Sequence, residues 1–303
     1  MRLAVLTDAS CDLPESFLRH HGVEILPSTI RIENRLVLDE RDPYVSLHLY
    51  REGLKTIGSD IEVLQPTFDQ IRKRITDRLI PRYDYLLCIA PDATQSPVHR
   101  NLTRAAFSAL NETSALMREG GTRASLGLRV IDARATSAAL GLIVAEACRL
   151  IAEGVPLSDV VTTIEDLRGE VASFLVPSDT ARIDAPQRWR DRLAHALGRR
   201  PILHRQGSRY AVTGRARGTH GAVEQLLLLT AAEIRCGVSV PHVVISYGGD
   251  PADILSLPGF EQLSLAAQEH KVTLLPAMMS VSRALAIGSG CMEVAYVPRL
   301  VRR

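Results

Sequence analysis

The sequence predicts an α/β protein with two domains, for three reasons. Short apolar strands alternate with helical patterns from Met1 to about Gly154, as in a parallel sheet with right-handed crossover connections. Beyond residues 165–169 a hairpin pattern and a long apolar helix follow, which are typical of a mixed or antiparallel sheet. The 303 residues, 46% of them hydrophobic, are enough for two cores. We predict an N-terminal domain over residues 1–165 and a C-terminal domain over residues 166–303.

The N-terminal half carries the elements of a parallel sheet, with a hairpin or a pair of edge strands around Glu33-Asn34. A helix follows the turn at residues 132–137, and small residues in its first turn let the backbone approach another group closely. Ligands in open α/β sheets bind outside the carboxyl ends of the strands, so we expect a site at this turn. The strands are predicted at Leu3–Leu6, Val23–Leu26, Tyr85–Ile89 and Leu126–Ile131, and the helices at Pro14–His20, Pro43–Glu52, Thr67–Arg78, His99–Met117 and Ala138–Ala152.

The C-terminal half has a different order of predicted strands and helices. A hairpin turning at Gln206-Gly207 precedes a long apolar helix, and three more strands follow. The predicted strands are Val171–Pro177, Pro201–His204, Arg209–Thr213, His242–Ser246, Lys271–Leu275 and Glu293–Val297, and the predicted helix is Gly221–Arg235. One more helix, predicted at Leu157–Leu167, precedes this change and reaches the boundary between the domains.

Composition excludes several classes of function. The formal charge is +2 and aromatic residues make up 4% of the chain, so no platform for stacking bases is visible and no nucleic-acid partner is expected. No apolar run is long enough to span a bilayer. The first residues have too short an apolar core for a signal peptide. We therefore expect a cytoplasmic protein whose five scattered cysteines are reduced.

Sequence motifs indicate no enzyme. Neither the G-x-x-x-x-G-K-[ST] phosphate loop, nor G-x-G-x-x-G, nor the G-x-S-x-G elbow occurs. The histidines lack the spacing of a zinc helix, so we predict no catalytic residues and no metal site. Asp8 and Asp12, at the end of the first strand, leave one alternative open: an enzyme of phosphoryl transfer that binds Mg²⁺ through them. The more ordinary interpretation is an Asx turn and a cap for the helix near Pro14.

Five segments, in the right order, resemble motifs of the DegV family, two-domain bacterial proteins that bind a fatty acid. Residues 7–14 resemble T-D-S-x-x-D-L-P, and residues 23–27 resemble the second strand of the family. Residues 130–142 are similar to V-I-D-S-x-x-x-S-x-G-x-G-L. Residues 200–203 and 212–218 resemble K-P-I-L and G-K-x-R-G. The resemblance implies an apolar tunnel between two α/β domains, a bound fatty acid or other long apolar ligand in place of a cofactor, and a partner fatty acid kinase that does the chemistry.

The segments that would hold the lipid head group depart from the family. Val63-Leu64-Gln65-Pro66-Thr67 stands where the family has T-S-Q-P-[ST], and the loop at residues 89–96 lacks two leading serines. Ala286 replaces a histidine, and Arg182 is among the nearest arginines to a missing G-G-R-I. From the resemblance we predict these ligand-binding residues: Gln65, Thr67, Thr94, Ser96, Ser137, Arg182 and Ala286.

A carboxylate without its usual donors is costly to bury, so three outcomes stay open. The replacement residues hold a fatty acid, or the ligand is a different apolar molecule. In the third, Val63, Leu64 and their neighbours fill the tunnel, and the chain acts through protein partners alone.

Overall fold

The structure is a computed structural model that describes residues 1–52, 61–118, 126–178, 198–207 and 209–299. Within these ranges the strands are β1 Leu3–Asp8, β2 Glu24–Leu26, β3 Ser28–Ile32, β4 Arg35–Asp39, β5 Ile61–Leu64, β6 Tyr85–Ala90, β7 Gly127–Asp132, β8 Ala172–Val176, β9 Arg199–Gln206, β10 Arg209–Arg217, β11 His242–Tyr247, β12 Thr273–Met278 and β13 Met292–Tyr296.

The helices in the same ranges are α1 Glu15–His20, α2 Pro43–Glu52, α3 Phe68–Arg74, α4 Val98–Arg118, α5 Ser137–Ala152, α6 Leu157–Leu167, α7 Gly218–Cys236, α8 Phe260–Glu269 and α9 Val281–Ile287. A π-helical turn at Ile75–Leu79 continues α3, and a 3₁₀ helix covers Pro251–Ser256.

The N-terminal domain is built on a four-stranded parallel sheet in the order β2-β1-β6-β7. This arrangement confirms the parallel sheet predicted from the strand–helix alternation. Its central strands are buried along nearly their whole length, as expected for strands with helices on both faces.

Helix α5 lies at the centre of the molecule. All but three of its residues are buried, because it packs against β1 on one side and against β11 and β13 of the C-terminal domain on the other. A helix that is apolar all round is typical of this position between two layers. The core formed around it includes Val244 of β11 and Ala295 of β13.

A second, three-stranded antiparallel sheet has the order β4-β3-β5. The predicted hairpin forms its first two strands, joined by a two-residue turn in which Glu33 has φ 50°. The sequence analysis did not predict β5.

The C-terminal domain contains a six-stranded sheet in the order β10-β9-β8-β13-β11-β12. All neighbouring strands are antiparallel except β11 and β12, so the predicted mixed sheet is confirmed. Helices α7 and α8 pack against each other over it. The sequence analysis missed α8 and α9.

One local prediction was wrong. Pro14 occupies the position before α1 and no side chain caps this helix, whereas Asp12 bonds elsewhere. The helix predicted at residues 67–78 is present, and after Arg74 it continues with π-helical geometry. The division predicted at residues 165/166 falls near the end of α6 and stays a prediction.

Candidate functional site

Three turns meet at the carboxyl edge of the parallel sheet, where the sequence placed the site. They follow β1, β6 and β7. The amide of Asp92 donates to the carbonyl of Ala135 at 3.0 Å, and the amide of Ser137 donates to the carbonyl of Ser10 at 3.0 Å. The turns are therefore held to one another by backbone hydrogen bonds.

Ser137, the first residue of α5, has an unusual backbone conformation and an unpartnered hydroxyl. Its φ is 55°, a region that non-glycine residues seldom adopt, and its buried hydroxyl has no hydrogen-bond partner. The close approach predicted for the first turn of α5 involves the loop after β1, since a Cβ added to Gly141 would lie 2.4 Å from the carbonyl oxygen of Asp12. Position 141 therefore requires glycine for packing.

The turn after β6, residues 91–97, is organised by Asp92 and is called here the Asp92 loop. One carboxylate oxygen of Asp92 accepts from the amide and hydroxyl of Thr94 at 2.9 and 2.7 Å, and the other accepts from the side chain of Gln95 at 2.9 Å. Burial would raise the pKa of Asp92, but these bonds and the charge of Arg205 outweigh it and lower the pKa. The loop is thus held around an ionised carboxylate.

Arg205 of the C-terminal domain binds this loop. From β9 its guanidinium donates to Asp92 at 2.9 Å and to the carbonyl of Arg134 at 3.0 Å, and its Nε donates to Gly207 at 2.9 Å. The side chains of the ion pair are each 7% exposed. Sequence reasoning missed Arg205, because 113 residues separate it from Asp92 and no local motif marks it.

Several of the predicted polar residues lie at or near the same edge. Asn101 of α4 donates to the carbonyl of Pro66 at 3.1 Å, which joins the segment carrying Gln65 and Thr67 to the helix that follows the Asp92 loop. Thr94 and Ser96 lie within that loop. Ala286 is exposed on α9, and Arg182 lies outside the described residues.

The predicted residues form two groups, according to whether the side chain still has a hydrogen to donate. Thr67 uses its hydroxyl to cap α3, with Gln70 completing a capping box, and Thr94 gives its hydroxyl hydrogen to Asp92. In contrast, the Ser96 hydroxyl accepts from the amide of Val98 at 3.3 Å, which leaves its hydrogen available. Ser137 has an unpartnered hydroxyl, and Gln65 accepts from Ser28 at 3.2 Å, which leaves its amide hydrogens available.

A second polar contact between the domains is completely enclosed. The carboxylate of Asp12 accepts from the hydroxyl of Ser246 at 2.6 Å and from the amide of Ser280 at 2.8 Å. The guanidinium of Arg41 lies 3.4 Å from the same carboxylate and donates to the carbonyl of Met278 at 2.6 Å. We call Asp12, Arg41, Ser246 and Ser280 the Asp12 network.

Burial raises the pKa of two carboxyls, that of Asp12 in this network and that of Asp8 nearby. It raises the pKa of Asp12 to about 6 although Arg41 and the hydrogen bonds oppose it, and it raises the pKa of Asp8 to about 6. One oxygen of Asp8 accepts from Ser10, at 3.2 Å from the amide and 2.6 Å from the hydroxyl. Its other oxygen has no partner.

This geometry does not favour the magnesium alternative. Both oxygens of Asp12 accept hydrogen bonds from the C-terminal domain, so its carboxylate serves domain docking. Within the described ranges, no group of three or more His, Cys, Asp and Glu side chains is arranged to hold a metal ion.

An apolar layer lies between α2 and α9, next to the Asp12 network. Ile30, Leu49 and Val281 form one buried cluster there. Tyr50 of α2 forms an adjacent cluster with Met278 of β12, Met279 and other residues of the C-terminal domain. Beside it a pocket of about 340 Å³ opens between Tyr50, Tyr247 and the glycines at positions 248, 249 and 290. The layer is thus an apolar part of the interior, and the pocket beside it has both apolar and polar residues in its lining.

Leu64 does not fill this layer. It pairs with Thr29 in the three-stranded sheet and is 37% exposed on the outer face. Only Val63, which pairs with Ile30, belongs to the inner face. The filled-tunnel alternative therefore loses one of its two named residues.

These features define a class of protein: two α/β domains joined by polar contacts at a sheet edge, with an apolar layer beside them. The chain belongs to the DegV family, since the model of that family, described as an uncharacterised protein family, matches residues 2–299. A DegV domain-containing protein of Xanthomonas campestris pv. campestris is 28% identical over 98% of this chain and 97% of its own length.

Solved structures show the same fold. A DegV lipid binding protein from Thermotoga maritima has a TM-score of 0.74 and 17% identity, with 99% of each chain covered. The fatty acid kinase B3 protein of Streptococcus pneumoniae, loaded with linoleic acid, has a TM-score of 0.69 and 14% identity, covering 98% of this chain and 100% of that one. No helix among the described residues is both long and apolar enough to cross a membrane.

Proposed function

We propose that this chain binds one long-chain fatty acid, or another long apolar molecule with a small polar head, and presents the head group to a partner kinase. The observation that carries the proposal is the combination of unused hydrogen-bond donors at the sheet edge with an apolar layer between the domains. Family membership and the lipid-binding neighbours support it.

The head group would be held by neutral donors. Arg205 is already neutralised by Asp92, so a ligand carboxylate would meet hydroxyl and amide hydrogens instead of a free guanidinium. Ser96, Ser137 and Gln65 have such hydrogens, and Thr67 and Thr94 would contribute only by shaping the loops. Arg182 and Ala286 remain in the predicted site, the latter as a small residue that leaves room.

The acyl chain would extend into the apolar layer between α2 and α9. Burying a chain of methylene groups stabilises a complex by about 0.8 kcal/mol for each group, which would offset the cost of desolvating the head. We propose that the protein does no chemistry itself and that a cytoplasmic kinase phosphorylates the exposed head group. Four of its free cysteines are buried and one is exposed, which is consistent with a reducing compartment.

Mass spectrometry of an organic extract, run beside native mass spectrometry of the intact protein, tests this proposal. We expect one apolar molecule per chain that withstands purification. A fatty acid would identify the class of ligand, whereas another apolar molecule would keep the binding role and exclude a free carboxylate. An apo mass, together with no uptake of added oleic acid, would overturn the proposal.

Replacing Ser96 with Leu tests the head-group site. Ser96→Leu removes an available donor and should weaken ligand retention at least tenfold, without unfolding the protein. The matched control is Ser158→Leu on the exposed first turn of α6, which should leave retention unchanged. Equal retention in both variants would remove Ser96 from the site.

A further inference from the structure

Arg41 has hydrogen-bond donors that no group in the described part of the chain accepts. This residue is 8% exposed. Its Nη2 donates to the carbonyl of Met278 at 2.6 Å and lies 3.4 Å from the carboxylate of Asp12, but its buried Nε and Nη1 have no hydrogen-bond partner. Because burying a charged donor without an acceptor is costly, we expect these two atoms to meet an acceptor that is not among the described residues.

The guanidinium of Arg41 is charged, and its backbone is held in an unusual conformation. Burial would lower the pKa of Arg41, but the charges of Asp12 and Asp39 outweigh burial and raise it. The carboxylate of Asp39 also accepts from the Arg41 amide at 3.1 Å. This bond holds a residue with φ 67°, a conformation that non-glycine residues seldom adopt. The free donors are therefore carried by a cation that is fixed at both ends.

The Asp39 side of Arg41 leads to Gln65. Ser28 donates its hydroxyl hydrogen to the side chain of Gln65 at 3.2 Å. Ser28 also pairs with Asp39 in the three-stranded sheet, and Asp39 holds the amide of Arg41. A series of direct contacts therefore connects Arg41 with one of the neutral donors proposed for the head group.

The Asp12 side of Arg41 leads to Ser137, a second proposed donor. Cys11 pairs with Ser137 in a short bridge, and the amide of Asp12 donates to the carbonyl of Ser137 at 3.4 Å. Burial raises the pKa of the Cys11 thiol, and the charge of Arg41 opposes this at short range. Met278, whose carbonyl binds Arg41, belongs to the apolar cluster beside α2. Arg41 is thus a near neighbour of both donors, at the border of the apolar layer.

We propose that the two free donors of Arg41 bind the head group of the acyl ligand and make the site select a carboxyl group over a neutral one. The inference rests on the proposed function and adds a charged donor to the neutral donors named there. Arg205 is neutralised by Asp92, whereas Arg41 has donors to spare. Hydrogen bonds between two charged groups are about twice as strong as neutral ones, so Arg41 favours a fatty acid over a fatty alcohol. The rival acceptor is water, which would not affect the choice of ligand.

Asp8 opposes an anionic head group in the same surroundings. Burial, with the charges of Asp39 and Asp12 adding to it, raises the pKa of Asp8 to about 6, so the three carboxyls are close together. Above that pH Asp8 is ionised and repels a carboxylate bound to Arg41. Substitutions of Arg41 and of Asp8 should therefore have opposite effects on the binding of a fatty acid, and little effect on that of a neutral ligand.

Native mass spectrometry with two probes, oleic acid and oleyl alcohol, tests the inference at about pH 7.5. Arg41→Lys keeps a positive charge beside Asp12 and lacks the two free donors. It should weaken retention of oleic acid about tenfold and that of oleyl alcohol less than about twofold. Asp8→Asn removes a negative charge and keeps the shape of the side chain. It should strengthen retention of oleic acid about threefold and leave that of oleyl alcohol unchanged.

Arg74→Lys is the matched control. Arg74 also has a buried Nε without a hydrogen-bond partner and an ion pair, 3.3 Å from Glu40. It ends α3, and its partner Glu40 is 48% exposed, so this arginine belongs to the surface and not to the head-group site. Arg74→Lys should leave retention of both probes unchanged. If Arg41 binds only water, the two lysine variants will behave alike.

The outcomes separate this inference from the proposed function. A parent protein that retains neither probe would overturn both. Retention of both probes, with a folded Arg41→Lys variant that matches Arg74→Lys, would overturn the role of Arg41 alone. If Arg41→Lys has no urea unfolding transition, Asp8→Asn decides. A stronger retention of oleic acid alone then supports a carboxylate beside Arg41, and equal effects on the two probes overturn it.

Discussion

The two polar contacts between the domains have the same components but different surroundings. Each uses an aspartate that follows a strand of the parallel sheet, Asp12 after β1 and Asp92 after β6, and each places an arginine near the carboxylate. The Asp12 network is enclosed, and both carboxylate oxygens receive donors from the C-terminal domain. The Asp92 loop is rimmed by exposed or half-exposed hydroxyls. The first contact joins the domains, and the second is where we propose that the ligand head group binds.

Asp12→Ala should have the largest effect on stability. It would leave the Arg41 guanidinium, the Ser246 hydroxyl and the Ser280 amide without their shared acceptor in a buried place. Removing one partner of a buried ion pair costs about 3–5 kcal/mol, and we expect a loss of that size in the free energy of unfolding, measured by urea denaturation.

The control for this variant is Asp69→Ala, which removes an 82% exposed carboxylate with a long 4.0 Å ion pair. It should change stability by less than about 0.5 kcal/mol. If the two variants lost similar stability, the Asp12 network would have no special role in joining the domains.

Arg205→Ala should cost less, about 2 kcal/mol, because Asp92 keeps its hydrogen bonds from Thr94 and Gln95 and loses one donor, while the Arg134 carbonyl loses the guanidinium. Arg129→Ala, which removes an ion pair whose side chains are 50% and 33% exposed, is the control and should cost under about 1 kcal/mol. Urea denaturation distinguishes them. A loss for Arg205→Ala as large as that for Asp12→Ala would remove the difference between the two contacts.

Asp8→Asn tests the burial of charge beside the Asp12 network. The pKa of Asp8 in the folded protein is about 6, above its ordinary 3.8, so the stability linked to this group is present below pH 4 and is lost as the pH rises through 6. Asparagine cannot ionise. We expect the free energy of unfolding of the variant to exceed that of the parent by about 1–2 kcal/mol at pH 7.5, and this difference to shrink toward pH 4. Urea unfolding curves at four pH values measure the difference, and one that does not change with pH would contradict the prediction.

The sequence was sufficient for the architecture because that depends on local periodicity. The alternation before residue 154 and the hairpin at Gln206-Gly207 predicted both main sheets. Strand β5 was missed because its four residues are too short a stretch for their alternation to stand out.

At the site, Asp92 and Arg205 were missed because the contact between them depends on tertiary structure. The spacing of Thr94 and Ser96 was enough to place both in one loop. It could not predict that the Thr94 hydroxyl donates to Asp92 while the Ser96 hydroxyl keeps its hydrogen available. The prediction that Asp12 caps the helix near Pro14 was wrong for the same reason, since its partners Ser246 and Ser280 are more than two hundred residues away.

Thr67→Ala should have the smallest effect, and it separates a helix cap from a ligand contact. Its hydroxyl accepts from the amide of Gln70 and donates to the Gln70 side chain, so its loss should cost about 1 kcal/mol of stability. Because that hydroxyl has no hydrogen to spare for a head group, ligand retention should match the parent, in contrast with Ser96→Leu. Retention is measured by native mass spectrometry and stability by urea denaturation. A retention loss in Thr67→Ala with unchanged stability would mean that the capping box opens when the ligand binds, and Thr67 would then join Ser96 as a direct contact.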